Sequence, residues 1–426
     1  MDDGAWHVVR ALEAWQITEL PRRPHVRQNS VPDQDRADLG ATQRWQALVS
    51  AFHYGAPVAF GWMRETTGGP VRVLAAGAGL AGAAGVDVAG GLGGDGQVVL
   101  SFPAGARALA LPAGQAPDLL ARMPCWMRLA GITDALLAGR GEPGPASRDA
   151  RPSLEDGLLS AWSGPFGWLV LAEPVSAAQL HELAVEVSLA QLSAQRSDGP
   201  PAQLAAQRLS ARHGELRQAA ATGLWKVRLV AGGPSPAAAA QIAGLLCAST
   251  DLDGLPYALT PVPGCAGLAE TMDSGLHAPA GLTQSALLPP ARDDPDIPAA
   301  AVPFYASSKL LAALARPPAR EVPGIRFVLR PDFDVTPELG SGMARADGES
   351  AVPVGTVLDW NGVPAGELAV PRASLNRHTF VCGATGAGKS QTVRGLLEAA
   401  TGAGIPWLVV EPAKAEYRLM AARLPG

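Results

Sequence analysis

HTFVCGATGAGKSQTVRGLLEAA, residues 378–400, sets a short apolar run, a glycine-rich loop and a helical pattern one after another. HTFVC (His378 to Cys382) reads as a strand and GATGAG as a loop, and KSQTVRGLLEAA places Val393, Leu396, Leu397 and Ala400 on one face of a helix. Residues Gly383 to Ser390 match G-x-x-x-x-G-K-[ST], and the order of strand, loop and helix is the context in which that pattern holds phosphate. Each residue type has a physical task. Gly383, Gly386 and Gly388 let the backbone wrap closely around phosphate oxygens, and the amides of the cradle, which also includes Ala384, Thr385, Ala387 and Gln391, point at that negative charge from the helix N-terminus. Lys389 should reach the β- and γ-phosphates, and the Ser390 hydroxyl should ligate Mg²⁺, so the expected ligands are ATP and Mg²⁺. A glycine-rich loop that merely precedes a lysine is the bland alternative, and the flanking strand and helix argue against it.

Beyond this helix, Gly402 to Gly404 make a turn and Ile405 to Val410 read as a second buried strand, parallel to the first through the intervening helix. Glu411, Lys414 and Glu416 would then emerge at the edge of the sheet that carries the loop. Glu411 is a candidate catalytic acid on that ground. Its ordinary reading is a surface carboxylate paired with Lys414 or Arg418.

Upstream of the loop, Ile325 to Leu329, Thr356 to Trp360 and Glu367 to Val370 look like strands, the last two joined by a turn at Asn361-Gly362. Residues Pro289 to Pro303 hold five prolines and three aspartates, a composition that favours an extended connector over a core. Before it lie two strand-to-helix units. PFGWLVLA (Pro165 to Ala172) leads into Ser176, which with Gln179 forms a capping box for a helix whose apolar face is Leu180, Leu183, Ala184 and Val187 and which stops at Gly199-Pro200. LWKVRLV (Leu224 to Val230) alternates as a half-buried strand, and Ser235 with Pro236 opens a helix carrying Ile242, Leu245 and Leu246. A polar helix spanning Gln203 to Ala220 separates them.

The first 140 residues mix short strand-like runs (Ala56 to Met63, Val71 to Ala75, Gln97 to Phe102, Ala108 to Leu111) with glycine-rich turns, and Gly139 to Pro152 reads as a linker. Gly77, Gly79 and Gly82 spell G-x-G-x-x-G behind a strand, the pattern of a dinucleotide site. The following AAGVDVAGGLGGDG is a poor helix and no acidic residue ends the next strand, so the motif reads as a plain loop.

Composition narrows the classes. A formal charge of −5 excludes a chain that coats nucleic acid by bulk electrostatics, and from residue 351 onward the balance is only mildly basic. The 34 basic residues include just four lysines, Lys226, Lys309, Lys389 and Lys414, which makes a well-placed one conspicuous. Cys125, Cys247, Cys265 and Cys382 form no metal-ligand spacing and read as buried thiols of a reducing cytoplasm. The longest uncharged run, Leu229 to Thr250, is broken by GGPSP, and the N-terminus has no signal-peptide pattern, so a soluble, cytoplasmic chain without a membrane span is expected.

HTFVCGATGAGKSQTV followed by WLVVEPAKAEYR, with GTVLDWNGVPAGELAVPRASLNRH before them, resembles the start of the ATPase domain in the HerA/FtsK superfamily of P-loop motors. That group includes DNA translocases and the conjugative ATPases of type IV secretion. The resemblance covers residues 350–420 and implies a RecA-like domain, hexameric rings, and ATP hydrolysis that moves DNA or a protein through a central pore. The family's Walker B strand, catalytic glutamate and arginine finger have no counterpart here, so the chain is expected to be the front of a longer protein and not to turn nucleotide over by itself. The rival expectation is a non-catalytic, nucleotide-responsive interaction module. The fold expected is α/β: an α+β region over 1–140, an α+β domain over 153–288, a Pro-rich connector and short helix over 289–321, a β-rich lead-in over 322–371, and over 372–426 the first βαβ of an incomplete P-loop domain.

Overall fold

The computed structural model describes residues 5–22, 56–78, 80, 97–100, 106–134, 136–137, 152–274, 301–329, 351–358, 364–411 and 416–423. The chain divides into two compact units, Met1–Leu329 and Arg330–Gly426. The strands are β1 (Ala14–Arg22), β2 (Val58–Arg64), β3 (Val71–Ala76), β4 (Gln97–Val99), β5 (Arg107–Leu111), β6 (Cys125–Thr133), β7 (Phe166–Pro174), β8 (Leu224–Gly233), β9 (Tyr257–Pro261), β10 (Phe304–Ser307), β11 (Arg326–Leu329), β12 (Ala351–Leu358) and β13 (Pro364–Pro371). The α-helices are α1 (Ala5–Ala11), α2 (Gln115–Ala121), α3 (Ala177–Gln195), α4 (Pro200–Thr222), α5 (Pro236–Cys247), α6 (Leu268–Asp273), α7 (Ser308–Leu314), α8 (Lys389–Gly402) and α9 (Glu416–Ala421).

The first unit is a mixed α/β body on one mainly antiparallel sheet, in the order β4-β5-β1-β3-β2-β7-β8-β6-β9, with β10 added to β8 and β11 to β1. Its one parallel pair among the described residues is β1 with β11. Regions 1–140 and 153–288, read apart in the sequence, therefore contribute strands to the same sheet: β2 pairs with β7, and β6 pairs with β8. The strand-like runs in the first 140 residues become β2, β3, β4 and β5.

β7 and β8 are apolar along both faces because both faces are covered. Phe166, Trp168 and Val170 join Trp225, Val227 and Leu229 in a core shared with Ile242 and Leu246 of α5 and Leu310 and Leu314 of α7. The alternate residues Leu169, Leu171 and Val230 face a second core with Val9 of α1, Leu119 of α2, and Leu268 and Met272 of α6. Such a two-sided strand loses the polar alternation that marks a half-exposed one. The polar residues of β8, Lys226 and Arg228, are half-buried beside Glu173 of β7, where Arg228 Nη1 donates to Glu173 Oε1 at 2.8 Å.

Trp126 of β6 shows how closely the layers fit. Gly167 and Gly232 are cross-strand partners on β7 and β8. A Cβ on either would come to 2.9 Å from the Trp126 ring, so the two glycines form the slot in which the indole lies. The ring is fully buried, and its Nε1 donates to Met123 O at 3.0 Å.

α3 and α4 form an antiparallel hairpin inserted between β7 and β8, as the capping signals anticipate. Ser176 Oγ accepts from Gln179 N at 3.2 Å while Gln179 Oε1 accepts from Ser176 N at 3.0 Å, and Gly199, at φ 109°, hands the chain to Pro200 at the head of α4. Leu180, Leu183 and Val187 pack against Leu209, Leu216 and Ala219. Polar groups latch the hairpin to the sheet: buried Arg212 pairs with Glu215 and donates to Tyr305 O at 3.1 Å, and the Tyr257 hydroxyl donates to Glu215. Burial, reinforced by the Glu215 carboxylate, pushes the Tyr257 phenol upward, so it stays protonated and serves as a donor.

Most of the region expected to be a Pro-rich connector, residues 289–300, lies outside the described residues, as do most of the Gly139 to Pro152 stretch and the Asn361-Gly362 turn. Residues 301–329 are built into the core instead. Phe304, Ala306, Leu310, Leu311 and Leu314 are buried there, and Arg316 pairs with Glu155 and, at 2.9 Å, with Asp251. Proline density in the first part of that window hides the apolar spacing of the second. Among the described residues no helix is long and apolar enough to cross a membrane.

Gly232→Ala should lower stability by about 1–3 kcal/mol, because the Trp126 ring has nowhere to retreat. Gly214→Ala, in α4, where a Cβ meets nothing within 4 Å, should be stabilising by about 0.5–1 kcal/mol. Urea unfolding of both variants checks the pair. A neutral Gly232→Ala would contradict the packing described.

Candidate functional site

The second unit holds the hairpin of β12 and β13 and the helix α8, which lies against β12. Ala400 on the helix and Val352 and Ala369 on the hairpin are buried. The β-rich lead-in is thereby divided: its first strand, β11, joins the large sheet, and the other two pair with each other.

The loop from 383 to 388 leads directly into α8. Gly386 has φ 81° and Gly388, the N-cap, has φ 83°, conformations that cost an L side chain strain. These two glycines are required by backbone angle. At Gly383 space is tight, since a Cβ there would meet the Ala387 methyl at 3.2 Å. Ala387 N donates to Ala384 O at 3.2 Å and closes the turn over Thr385 and Gly386. The first helical bond runs from Thr392 N to Gly388 O at 2.9 Å. The amides of Lys389, Ser390 and Gln391 are therefore the head of the helix, with no intrahelical acceptor and the positive end of the helix dipole behind them.

Lys389 closes the arrangement. Its Nζ donates to Gly383 O at 2.8 Å and to Ala384 O at 2.6 Å, so the ammonium is drawn back over the loop at the mouth of those amides. Ser390 and Gln391 are exposed beside it. Residues 383–391 form an open arrangement of one cation, three helix-head amides and left-handed glycines. Two carbonyl oxygens of the loop hold the lysine by hydrogen bonds.

Residues that the sequence reading did not single out brace the helix. Arg372 Nη1 donates to Ala403 O at 2.9 Å, placing a cation at the carbonyl end of α8, where the dipole favours one. Trp407 Nε1 donates to Thr401 Oγ1 at 2.8 Å, and the Arg394 guanidinium lies 5.9 Å from the centre of the Tyr417 ring. A basic residue just before the loop and an aromatic one just after the helix were the available signals.

The strands expected on either side of α8 differ from expectation. Thr379 to Cys382 and Ile405 to Val410 are extended without belonging to any strand ladder among the described residues. Phe380 is 88% exposed, Leu408 88% and Val410 83%, and Cys382, expected to be a buried thiol, is exposed as well. A β-segment is held by the backbone bonds of a neighbour, and neither segment has one here. The other three cysteines are half-buried. Glu411 Oε2 accepts from Tyr417 N at 3.5 Å, a local contact at the head of α9, and Lys414 lies outside the described residues.

The competing glycine motif sits in a different setting. β3, which precedes it, runs antiparallel to both β1 and β2, and Gly77 (φ 148°) turns the chain where a Cβ would meet Pro57 O and the Val58 side chain at 3.1 Å. A dinucleotide crevice needs a parallel strand and a helix head, so this turn serves packing. Gly79 and Gly82 lie outside the described residues. No group of three or more His, Cys, Asp or Glu suited to a metal occurs among the described residues. No protein-family model and no curated protein matches the chain.

Because no ladder protects them, the amides of Val381, Val409 and Val410 should exchange with solvent far faster than those of Leu169 to Leu171 in β7. Hydrogen exchange read by NMR or mass spectrometry checks this. Comparable slow exchange in both places would mean that the segments are paired.

Proposed function

We propose that this chain binds ATP with Mg²⁺ at residues 383–391 and serves as the front portion of a HerA/FtsK-type motor, in which a RecA-like domain assembles as a hexamer to move DNA or a protein. The observation that carries the proposal is Lys389. The single lysine of the loop is folded over its carbonyls at 2.6–2.8 Å, beside three helix-head amides and behind two left-handed glycines. These residues fit a polyphosphate chemically. The amides of Gly388 to Gln391 would cradle phosphate oxygens, Lys389 would neutralise the terminal ones, and Ser390 would supply a hydroxyl to Mg²⁺. Bound there, the metal would contribute charge neutralisation at the phosphates.

The motor reading is supported over that of a stand-alone nucleotide sensor by the apolar exposure around the site. Phe380, Leu408 and Val410 lie on the two segments that a RecA-like sheet would pair and cover with further strands. A sensor complete in itself has no use for three large apolar side chains more than four-fifths in water.

Lys389→Ala should reduce binding of a fluorescent ATP analogue to the full chain by at least about tenfold, the scale of one lost charge-assisted contact, with an unchanged far-UV spectrum. Ser390→Ala should remove most of the Mg²⁺ dependence of that binding. Equal binding by the Lys389 variant would overturn the assignment. In the proposed motor, duplex DNA should stimulate ATP turnover with a steep loss as salt rises, and a null effect at low salt would point to a protein substrate.

A further inference from the structure

The outward face of α3 carries a pattern that the fold leaves unused. Ala178, Glu182, Val185, Leu189, Leu192 and Arg196 follow one another at alternating steps of four and three residues, and all six are exposed. That spacing is the heptad seam of a two-helix contact, with Val185 at 44% exposure, Leu189 at 63% and Leu192 at 50%. The opposite face of the same helix is already used, since Leu180, Leu183 and Val187 are buried against α4. One helix thus presents two apolar stripes, only one of which the hairpin consumes.

We propose that this seam is a self-association surface, where α3 packs antiparallel against α3 of a second copy about a two-fold axis at Leu189. The charges select that occupant. Glu182 and Arg196 each lie seven residues from Leu189, one on either side. Antiparallel pairing centred there sets Glu182 of each copy opposite Arg196 of the other, forming two equivalent ion pairs at the ends of an apolar centre of Val185, Leu189 and Leu192. Parallel pairing would set Glu182 against Glu182 and Arg196 against Arg196, so like charges exclude it. A self-complementary patch of this kind is what an isologous two-fold contact requires. The seam is one helix wide, at the small end of specific interfaces, so the dimer is reversible and governed by concentration. The proposal is independent of the reading of the phosphate loop.

Sedimentation velocity of the full chain, up to about 50 µM, tests it. The wild-type chain should show a monomer–dimer equilibrium. Leu189→Glu should weaken dimerisation by at least about tenfold, because the apolar centre of the seam gives way to two facing carboxylates. Glu182→Arg and Arg196→Glu should each weaken it, and the two together should restore it, since the pair is exchanged as a whole. Far-UV spectra should be unchanged throughout, because none of these side chains is buried. A wild-type chain that stays monomeric over the whole range would overturn the proposal, as would a dimer that tolerates Leu189→Glu or single charge reversals that the double variant fails to rescue.

Discussion

The structure of the first unit depends on the pairing of β7 with β8, two adjacent strands buried on both faces. Every other element of that unit is placed relative to this pair. α5 and α7 cover one face and α1, α2 and α6 the other, β6 and β2 extend the sheet to either side, and the α3–α4 hairpin leaves from the end of β7 and returns to the start of β8. In this pairing Gly167 and Gly232 lie across from each other and leave room for the indole of Trp126. Two missing side chains thus let a third, the largest available, fill the second layer without a void.

The second unit is built on a different balance. Among its described residues the buried apolar side chains are Val352, Ala369 and Ala400, and Phe380, Leu408 and Val410 are exposed. What order the loop has comes from local terms: left-handed glycines, a closed turn, a helix head and a lysine held by carbonyls. These are the terms a phosphate site uses, because an anion is recognised by backbone amides whose direction is set before it arrives. In the proposed function, local order supplies binding.

Legibility in the sequence followed the range of the interactions. The capping box at Ser176 and Gln179, the Ser235–Pro236 helix start and the glycine-rich loop that opens α8 at Lys389 could all be read, because each is decided within a few residues. The single sheet could not. Nothing local tells β6 to lie between β8 and β9, or β11 to run parallel to β1 some three hundred residues away in the chain. β10 was hidden by the prolines before it, whereas a short helix, α7, was expected in the same window. The strands expected at 379–382 and 405–410 have the composition of buried strands, but composition cannot supply a partner, and among the described residues they belong to no ladder.

The most direct test of the account is a map of backbone amide shifts in the ¹⁵N-labelled chain as Mg²⁺-ATP is added. The account predicts saturable shifts concentrated at Gly386, Gly388, Lys389, Ser390 and Gln391, with the β7 and β8 amides unmoved. Shifts confined to other segments, such as the turn at Gly77, or no saturable shift at all, would contradict it.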